Sequence, residues 1–526
     1  MKHSGWVWAC LGLLLLSRLP AIGCPFQLNV DEGQMVAQAM RYFHHPTPWA
    51  SVDGETGGPV LSWFLALAHC LLLPFSFRTA HLLAAGCLMA ALLATFGAAR
   101  RLLGEVPATA GLAAGAWWLA LSPDEDFIHY SSELVPDVLL ACALLLWVSL
   151  RGRERGGDRC RLLFALALGL VPWAKLQAAP IALALGLWAC GETLLRAGPP
   201  PALRLRRLAI LVGAALLPSA LILFWVREAG AWDQFWHSYV LANVARAGGK
   251  AWPAHLSDLA NLTLRREGSA WFLGAAVLLA GALWRGANAA MRGTPGRVLG
   301  LSLLWLLVAT LAVLAPTTQY SHYQQLCLVP LVLLVAACAA LLVGDGVNAD
   351  RRGWTFLILG IAPLPVVSFI QHDGVGMVKQ TLRYDQGPAF QSQSFVVGAV
   401  QQFAPGATSL AVWGWAPYLY VDLQIPPGTR DAGYASLTDG NPSEEFMRAS
   451  FIRDLAASAP QVIVDTEDDI VAGRRRTAPA SFPALAGLLL RDYKLVGRGT
   501  ATHGPGRSLL VDIYLRRPGA LPAGLP

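Results

Sequence analysis

Two adjacent carboxylates follow the first apolar run of the chain and are the residues best placed to do chemistry. Asp31 and Glu32 stand where the chain should leave a bilayer, and a segment with apolar residues at helical spacing follows them. The next segment adds Asp53 and Glu55 ahead of a Gly57-Gly58-Pro59 turn. Four carboxylates therefore fall within one short loop at the water–lipid boundary, where a rigidly held carboxylate is a candidate general base.

The spacing of Asp31 and Gln34 also predicts a structural role for the first acid. An Asp followed three residues later by a Gln matches a capping box, in which the Asp side chain caps the first turn of its helix. The two roles are compatible, because a capping carboxylate is held in one position. Both interpretations of Asp31, the N-cap of a helix and the general base, therefore stay open.

The composition indicates which elements must position these groups. Of the 526 residues, 55% are hydrophobic and 14% are charged, whereas soluble domains carry roughly 25% charged residues. Mean hydropathy is +0.48, and long apolar runs recur over residues 1–370. We predict a polytopic α-helical membrane protein with about eleven transmembrane helices, the last of them at 354–370.

The distribution of charge predicts the topology. Lys2 and His3 precede the first apolar run, and arginines fill every second loop, so the N-terminus should be cytoplasmic. The net charge of +7 is explained by these arginines and does not indicate a nucleic-acid partner. Abundant Ala, Gly, Arg and Trp indicate a bacterial source, and hence a multi-pass protein of the inner (cell) membrane. The predicted outer loops are 23–79, 122–137, 227–270 and 316–325.

Residues 371–526 differ in composition and predict a small extracytoplasmic α/β domain. Strand-like runs at 409–415, 461–466, 493–499 and 508–516 alternate with helical runs. Trp413, Trp415 and Tyr418 suggest a sugar-stacking surface. The ordinary alternative, which we favour, is a strand end whose aromatic residues belong to the core.

Further polar residues cluster in or beside the predicted outer loops. Glu133 and Asp137 end the second loop, whereas Asp124, Glu125 and Asp126 favour a solvated segment. A cation buried near a membrane boundary is costly and therefore indicates function. The candidates for binding a substrate are Asp53, Glu55, Asp137, Lys175, Arg246, Lys250, His322 and Tyr323.

The order and topological side of these motifs resemble the GT-C superfamily of integral-membrane glycosyltransferases. The branch with protein O-mannosyltransferases and the aminoarabinose transferases of lipid A is the most similar, and the resemblance covers about residues 1–370. The motifs are Asp31-Glu32, Gly58-Pro59 with the helix after it, Ser131-Ser-Glu133-Leu-Val-Pro136-Asp137, Lys175-Leu-Gln177, and Ser321-His322-Tyr323 ahead of Leu328-Val-Pro330.

The resemblance implies a polyprenyl-phosphate sugar donor, an inverting transfer and Asp31 as the base. Glu32 would support Asp31, and Glu133 would orient the acceptor or position Asp31, with Asp137 as a weaker candidate. This chain has Gly58-Pro59 where the lipid A enzymes place a Lys-Pro beside the lipid phosphate. The cation facing the phosphate must therefore come from elsewhere, first Lys175 or His322 and then Arg246 or Lys250.

Other classes of function remain as alternatives at this point. A lipid or solute transporter or flippase would show repeated halves and midplane charges, and we find neither in the sequence. A non-catalytic envelope-assembly protein would keep the fold without the chemistry. The acceptor could be a glycan, a lipid or a protein. No cofactor is expected, and the spacing of the carboxylates gives no support for a metal.

Overall fold

The computed structural model describes residues 4–343, 366, 370 and 388–519, with gaps at 123, 151–156, 196–198, 249–251, 265–268, 285–292, 319, 434–436, 438–439, 468–481 and 503–507. The chain forms two compact units. The first unit comprises Met1–Pro20, Leu82–Ile222 and Ala247–Val378, and the second comprises Ala21–His81, Leu223–Arg246 and Lys379–Pro526.

Helices make up most of the described chain up to residue 343. In chain order they are α1 (Ser4–Gly23), α2 (Val30–His44), α3 (Pro59–Cys70), α4 (Phe77–Leu103), α5 (Glu105–Leu121), α6 (Leu134–Ser149), α7 (Gly157–Ala174), α8 (Ala179–Leu195), α9 (Pro201–Glu228), α10 (Trp232–Gln234), α11 (Ala242–Gly248), α12 (Trp252–Leu264), α13 (Ser269–Trp284), α14 (Thr294–Leu314) and α15 (Leu328–Val343). Short 3-10 helices at Glu125–Phe127, Leu176–Ala178 and Ser321–Cys327 and a π-helix at Phe235–Leu241 connect several of them.

Six described helices are long and apolar enough to cross a membrane, which confirms the predicted class of fold. They are Gly5–Gly23, Phe77–Leu103, Leu176–Leu195, Pro201–Glu228, Thr294–Leu314 and Ser321–Val343. Pro59–Cys70, Leu134–Ser149 and Trp271–Leu283 are shorter and also apolar. The predicted eleventh span at 354–370 lies outside the described residues, apart from single positions, so the total of eleven stays a prediction.

Small residues allow the helices of the first unit to pack closely. A Cβ atom at Gly111 of α5 would lie 2.5 Å from the carbonyl oxygen of Val332 in α15, which is closer than any side chain tolerates. Membrane helices use such positions because close backbone approach replaces the missing hydrophobic driving force. Pro172 and Pro218 lie inside α7 and α9, where neighbouring helices can satisfy the freed carbonyl groups.

The second unit contains the predicted α/β fold. Helices α16 (Pro388–Phe403), α17 (Tyr418–Asp422), α18 (Glu444–Ser458) and α19 (Pro483–Asp492) accompany strands β1 (Leu410–Gly414), β2 (Val462–Glu467), β3 (Tyr493–Thr502) and β4 (Ser508–Arg516). The sheet order is β1-β2-β4-β3, with β1 parallel to β2 and the other pairs antiparallel.

Trp413 belongs to the core of this sheet rather than to a sugar-stacking surface. Its side chain is fully buried and its ring lies 5.6 Å from the rings of Phe451 and Phe482. Trp415 packs against the same cluster, although it is less buried. The favoured alternative, a strand end with core aromatic residues, is therefore the correct one for Trp413.

Candidate functional site

Asp31 lies in the first turn of α2, in the second unit, and its side chain is half-buried. The N-cap of this helix is Asn29, whose side-chain oxygen accepts a hydrogen bond from the Asp31 backbone N–H at 3.0 Å. The prediction that Asp31 is the cap was therefore wrong. An Asn caps a helix as well as an Asp does, so the carboxylate of Asp31 is released from that structural role.

Glu32 is fully buried beside Asp31 and is held by two donors. Its Oε2 atom lies 2.9 Å from Nε2 of His81 in α4 and accepts a hydrogen bond from the Leu28 backbone N–H at 3.2 Å. No local pattern pointed to His81 as the partner of Glu32, because the two residues lie 49 positions apart. The adjacent acids thus differ in burial: Glu32 is fully buried in the second unit, whereas Asp31 is half-buried.

Asp53 is fully buried in the same unit, among neutral donors. Its carboxylate accepts hydrogen bonds from Gln234 Nε2 at 2.7 Å, from the Ser238 hydroxyl and from the Glu55 backbone N–H at 2.9 Å. Burial raises the pKa of Asp53, and the hydrogen bonds from Gln234 and Ser238 offset part of that rise. The acid therefore ties the loop after α2 to the π-helix.

Glu55 faces the predicted cation Arg246 across a long contact. An Arg246 guanidinium nitrogen lies 3.9 Å from Oε2 of Glu55, and 23% of the arginine side chain is exposed. Lys250, the other cation predicted in this loop, lies outside the described residues. Arg246 is thus a partly accessible cation in the same unit as Asp31.

Glu133 and Lys175 form a buried ion pair in the first unit. The Lys175 ammonium group donates to Oε1 of Glu133 and to the Ser132 hydroxyl, the latter at 2.7 Å. It also lies 4.5 Å from the centre of the Tyr323 ring, a cation–π contact. Burial alone would raise the pKa of Glu133, but the charge and hydrogen bond of Lys175, together with the electrostatic influence of His322, outweigh it and the pKa is lowered. The lysine, predicted from the cost of an unpaired buried cation, has a carboxylate partner.

Asp137 lies one turn beyond Glu133, inside α6, and is 1% exposed. Neither carboxylate oxygen has a hydrogen-bond partner among the residues that the structure describes. The helix begins at Leu134, so Glu133 precedes it while Asp137 is carried inward by its first turn. The two acids of the predicted loop are therefore in different surroundings.

Asp126 is not part of a solvated segment, contrary to expectation. Its side chain is 14% exposed and lies 3.3 Å from Nδ1 of His322, whose backbone N–H also donates to it at 3.2 Å. The His129 ring lies 5.6 Å from the His322 ring in an edge-to-face arrangement. These three residues are brought together from two of the predicted outer loops, and among them sequence analysis proposed His322 alone as a binding residue.

The architecture matches known structures over nearly the whole chain. ArnT from Cupriavidus metallidurans bound to undecaprenyl phosphate superposes with a TM-score of 0.58 and 13% identity, covering 97% of this chain and 98% of that one. The apo state of ArnT superposes with a TM-score of 0.56 and 14% identity, covering 98% of each chain. A third match is the archaeal oligosaccharyltransferase AglB from Archaeoglobus fulgidus in complex with an inhibitory peptide and a dolichol-phosphate. Its TM-score is 0.52 at 13% identity, covering 100% of this chain and 75% of that one. No protein-family model and no curated protein matches the sequence.

The chain has the GT-C fold. ArnT and AglB are GT-C glycosyltransferases, so the fold class inferred from the order of the sequence motifs is confirmed. At such low identity the likeness establishes the fold and leaves the residue roles as predictions.

The predicted residues divide between the two units of this GT-C chain. The second unit holds Asp31, Glu32, Asp53, Glu55 and Arg246, and the first holds Glu133, Asp137, Lys175, His322 and Tyr323. Sequence analysis missed the partners that fix these groups, which are His81, Gln234, Ser238 and His129. Apart from their polarity inside or beside apolar helices, these partners carried no local signal.

Proposed function

We propose that the protein transfers a sugar from a polyprenyl-phosphate donor to an acceptor hydroxyl with inversion, and that Asp31 is the general base. The acceptor hydroxyl gives its proton to the Asp31 carboxylate while its oxygen attacks the anomeric carbon. The bond from that carbon to the phosphate oxygen breaks, and the lipid leaves as a phosphate monoester. The undecaprenyl phosphate bound to ArnT and the dolichol-phosphate bound to AglB support this class of donor.

The difference between Asp31 and Glu32 is the observation that carries the proposal. The buried Glu32–His81 pair and the Asn29 cap fix the first turn of α2 from both sides. Asp31 sits on that turn and is only half-buried. A base must be rigidly positioned and must also reach the substrate, and of this pair Asp31 meets both conditions.

Arg246 is the cation that we assign to the donor phosphate. Lys175 and His322 were the first candidates, but each lies buried beside a carboxylate, Glu133 and Asp126 respectively. The Arg246 side chain is 23% exposed, and one of its guanidinium nitrogens lies 3.9 Å from the Glu55 carboxylate. A guanidinium group binds phosphate through two parallel hydrogen bonds, which would stabilise the negative charge that develops on the leaving group.

Release of the sugar from a panel of polyprenyl-phosphate donors tests the proposal. The purified protein is reconstituted in lipid and compared with its Asp31→Asn variant, with and without candidate glycan, lipid and protein acceptors. We expect the wild type to turn over one donor and Asp31→Asn to lose at least about 100-fold in kcat, which is the range for removal of a general base.

The matched control is Asp233→Asn, the same substitution at an exposed acid of the second unit. Equal release by wild type and Asp31→Asn would refute the role of Asp31 and move the test to Glu133. Movement of intact donor across the bilayer without release of sugar would indicate a flippase. Binding of the lipid with neither release nor movement would favour an assembly protein.

A further inference from the structure

The chemistry of Asp126, His129 and His322 is that of a metal site. One donor atom from each side chain lies within 4.8 Å of the donor atoms of the other two. In a tetrahedral zinc site with bonds of about 2.0–2.1 Å, such atoms are about 3.4 Å apart. Small side-chain rotations would therefore bring the three groups onto one ion.

His129 is oriented as metal-binding histidines are. Its Nδ1 atom lies 2.8 Å from the Glu125 carbonyl oxygen, which fixes the proton on Nδ1 and leaves a lone pair on Nε2. Nε2 is buried and has no hydrogen-bond partner among the described residues. A buried imidazole lone pair left unused costs free energy, and a metal ion would satisfy it.

The other two groups are also fixed before any ion binds. The Asp124 side chain accepts from the Asp126 backbone N–H at 2.8 Å, and Gln325 Nε2 donates to the Asp126 carbonyl oxygen at 2.7 Å. The ring of His322 stacks on Tyr320, with centroids 5.4 Å apart and planes 7° from parallel. Asp126 and His322 lie in two short 3-10 helices and His129 follows the first of them, and the Gln325 side chain already joins the two segments.

The charge of the cluster selects a cation over an anion. Two neutral imidazoles and one carboxylate carry a net charge of −1, which repels a phosphate group and attracts a divalent ion. Imidazole nitrogen is a ligand for zinc and other transition metals, whereas magnesium and calcium prefer sites made of oxygen alone.

We propose that Asp126, His129 and His322 bind one zinc ion that joins the two outer loops of the first unit. The proposal is independent of the transferase reaction, since none of the ligands belongs to the Asp31 region. Zinc binding would also affect the Lys175–Glu133 ion pair, because Tyr323, the neighbour of His322, packs against the Lys175 ammonium group. Bound zinc would hold that aromatic ring in place.

The metal content of the full-length protein tests the proposal. After treatment with a chelator and passage into metal-free buffer, the protein in detergent is titrated with zinc and measured by elemental analysis and calorimetry. We expect one zinc ion per chain, unaffected by excess magnesium. His129→Gln and Asp126→Asn should each weaken binding by more than about tenfold. His45→Gln, at an exposed histidine, should bind as the wild type does.

Cobalt(II) gives a second readout that a merely structural cluster would not produce. The wild type loaded with cobalt should show visible d–d absorption, and His129→Gln should lose it. If a variant fails to fold, the wild type alone remains decisive: the chelator should lower its melting temperature and one equivalent of zinc should restore it. A wild type that binds no stoichiometric zinc and shows no such shift would overturn the proposal.

Discussion

Glu133 in the first unit and Asp53 in the second are both completely buried carboxylates, and they are stabilised in opposite ways. Glu133 faces the ammonium group of Lys175, so its pKa is lowered despite burial. Asp53 receives its hydrogen bonds from an amide, a hydroxyl and a backbone N–H, and its pKa is raised. The comparison shows that the pKa of a buried acid is lowered when a nearby cation and its hydrogen bonds together outweigh desolvation, and that neutral donors compensate desolvation only in part.

Removing Lys175, the cation that faces Glu133, should have the largest effect on the stability of the protein. Lys175→Met leaves a carboxylate buried without its counter-charge, and such single removals cost about 3–5 kcal/mol. We expect a large fall in the melting temperature of the protein in detergent. The double variant Lys175→Met/Glu133→Gln removes both charges and should recover most of the loss. If the double variant were no more stable than the single one, the charge pair would not be the cause.

Asp422 extends the comparison to an acid for which the described part of the chain provides neither a cation partner nor a hydrogen-bond donor. It ends α17 in the second unit, and burial raises its pKa to about 7. An acid with a raised folded-state pKa favours folding below its unfolded pKa of about 4, and this advantage is lost as the pH rises through 7.

The stability of the wild type should therefore fall by about 2 kcal/mol between pH 5 and pH 7 through this group. Asp422→Asn should flatten that part of the curve, measured as melting temperature against pH. Asp233→Asn, at an exposed acid, should leave the curve unchanged. An Asp422→Asn curve parallel to that of the wild type would mean that Asp422 titrates normally.

The sequence was sufficient to predict helices and strands, but it was insufficient to predict which groups contact the buried acids. Apolar runs and strand patterns are local properties, so the membrane class and the positions of all four strands were predicted close to what the structure shows. Whether a buried acid faces Lys175 or Gln234 depends on packing between segments far apart in the chain.

Two local predictions failed for physical reasons that the structure shows. Asn29 precedes Asp31 by two residues and caps the helix first, so the capping box predicted at Asp31 does not form. Asp126 follows a run of acids typical of a solvated loop, yet His322 draws it inward from a distance of 196 residues. Both cases were decided by a competing partner rather than by the residue itself.

Removing one neutral donor from Asp53 should have a moderate effect. Ser238→Ala deletes one hydrogen bond to a buried acid, which costs about 1–3 kcal/mol. Because the pKa of Asp53 is already raised, stability from this group falls as the pH rises, and losing a donor should enlarge that fall. The melting temperature of Ser238→Ala should therefore drop more at pH 8 than at pH 5.

The control for this prediction is Ser302→Ala. Its buried hydroxyl donates to the Leu299 carbonyl oxygen at 2.9 Å, and no acid takes part in that contact. The loss of stability should be about equal at both pH values. A pH-independent loss in Ser238→Ala as well would mean that Asp53 does not change its protonation between pH 5 and pH 8.

Arg246 should give the smallest effect on stability and separates structure from function most clearly. Its contact with Glu55 is 3.9 Å long and partly exposed, and such pairs contribute about 0–1 kcal/mol. Arg246→Met should therefore leave the melting temperature nearly unchanged.

If Arg246 binds the donor phosphate as proposed, the same variant should lose about tenfold or more in kcat/KM, since hydrogen bonds to charged groups contribute about 1.5–3 kcal/mol. Arg246→Lys keeps the charge but cannot donate two parallel hydrogen bonds, so its kcat/KM should lie between those of the wild type and Arg246→Met. Loss of stability without loss of activity would make Arg246 a structural partner of Glu55, as Lys175 is of Glu133, and would contradict a role in binding the donor phosphate.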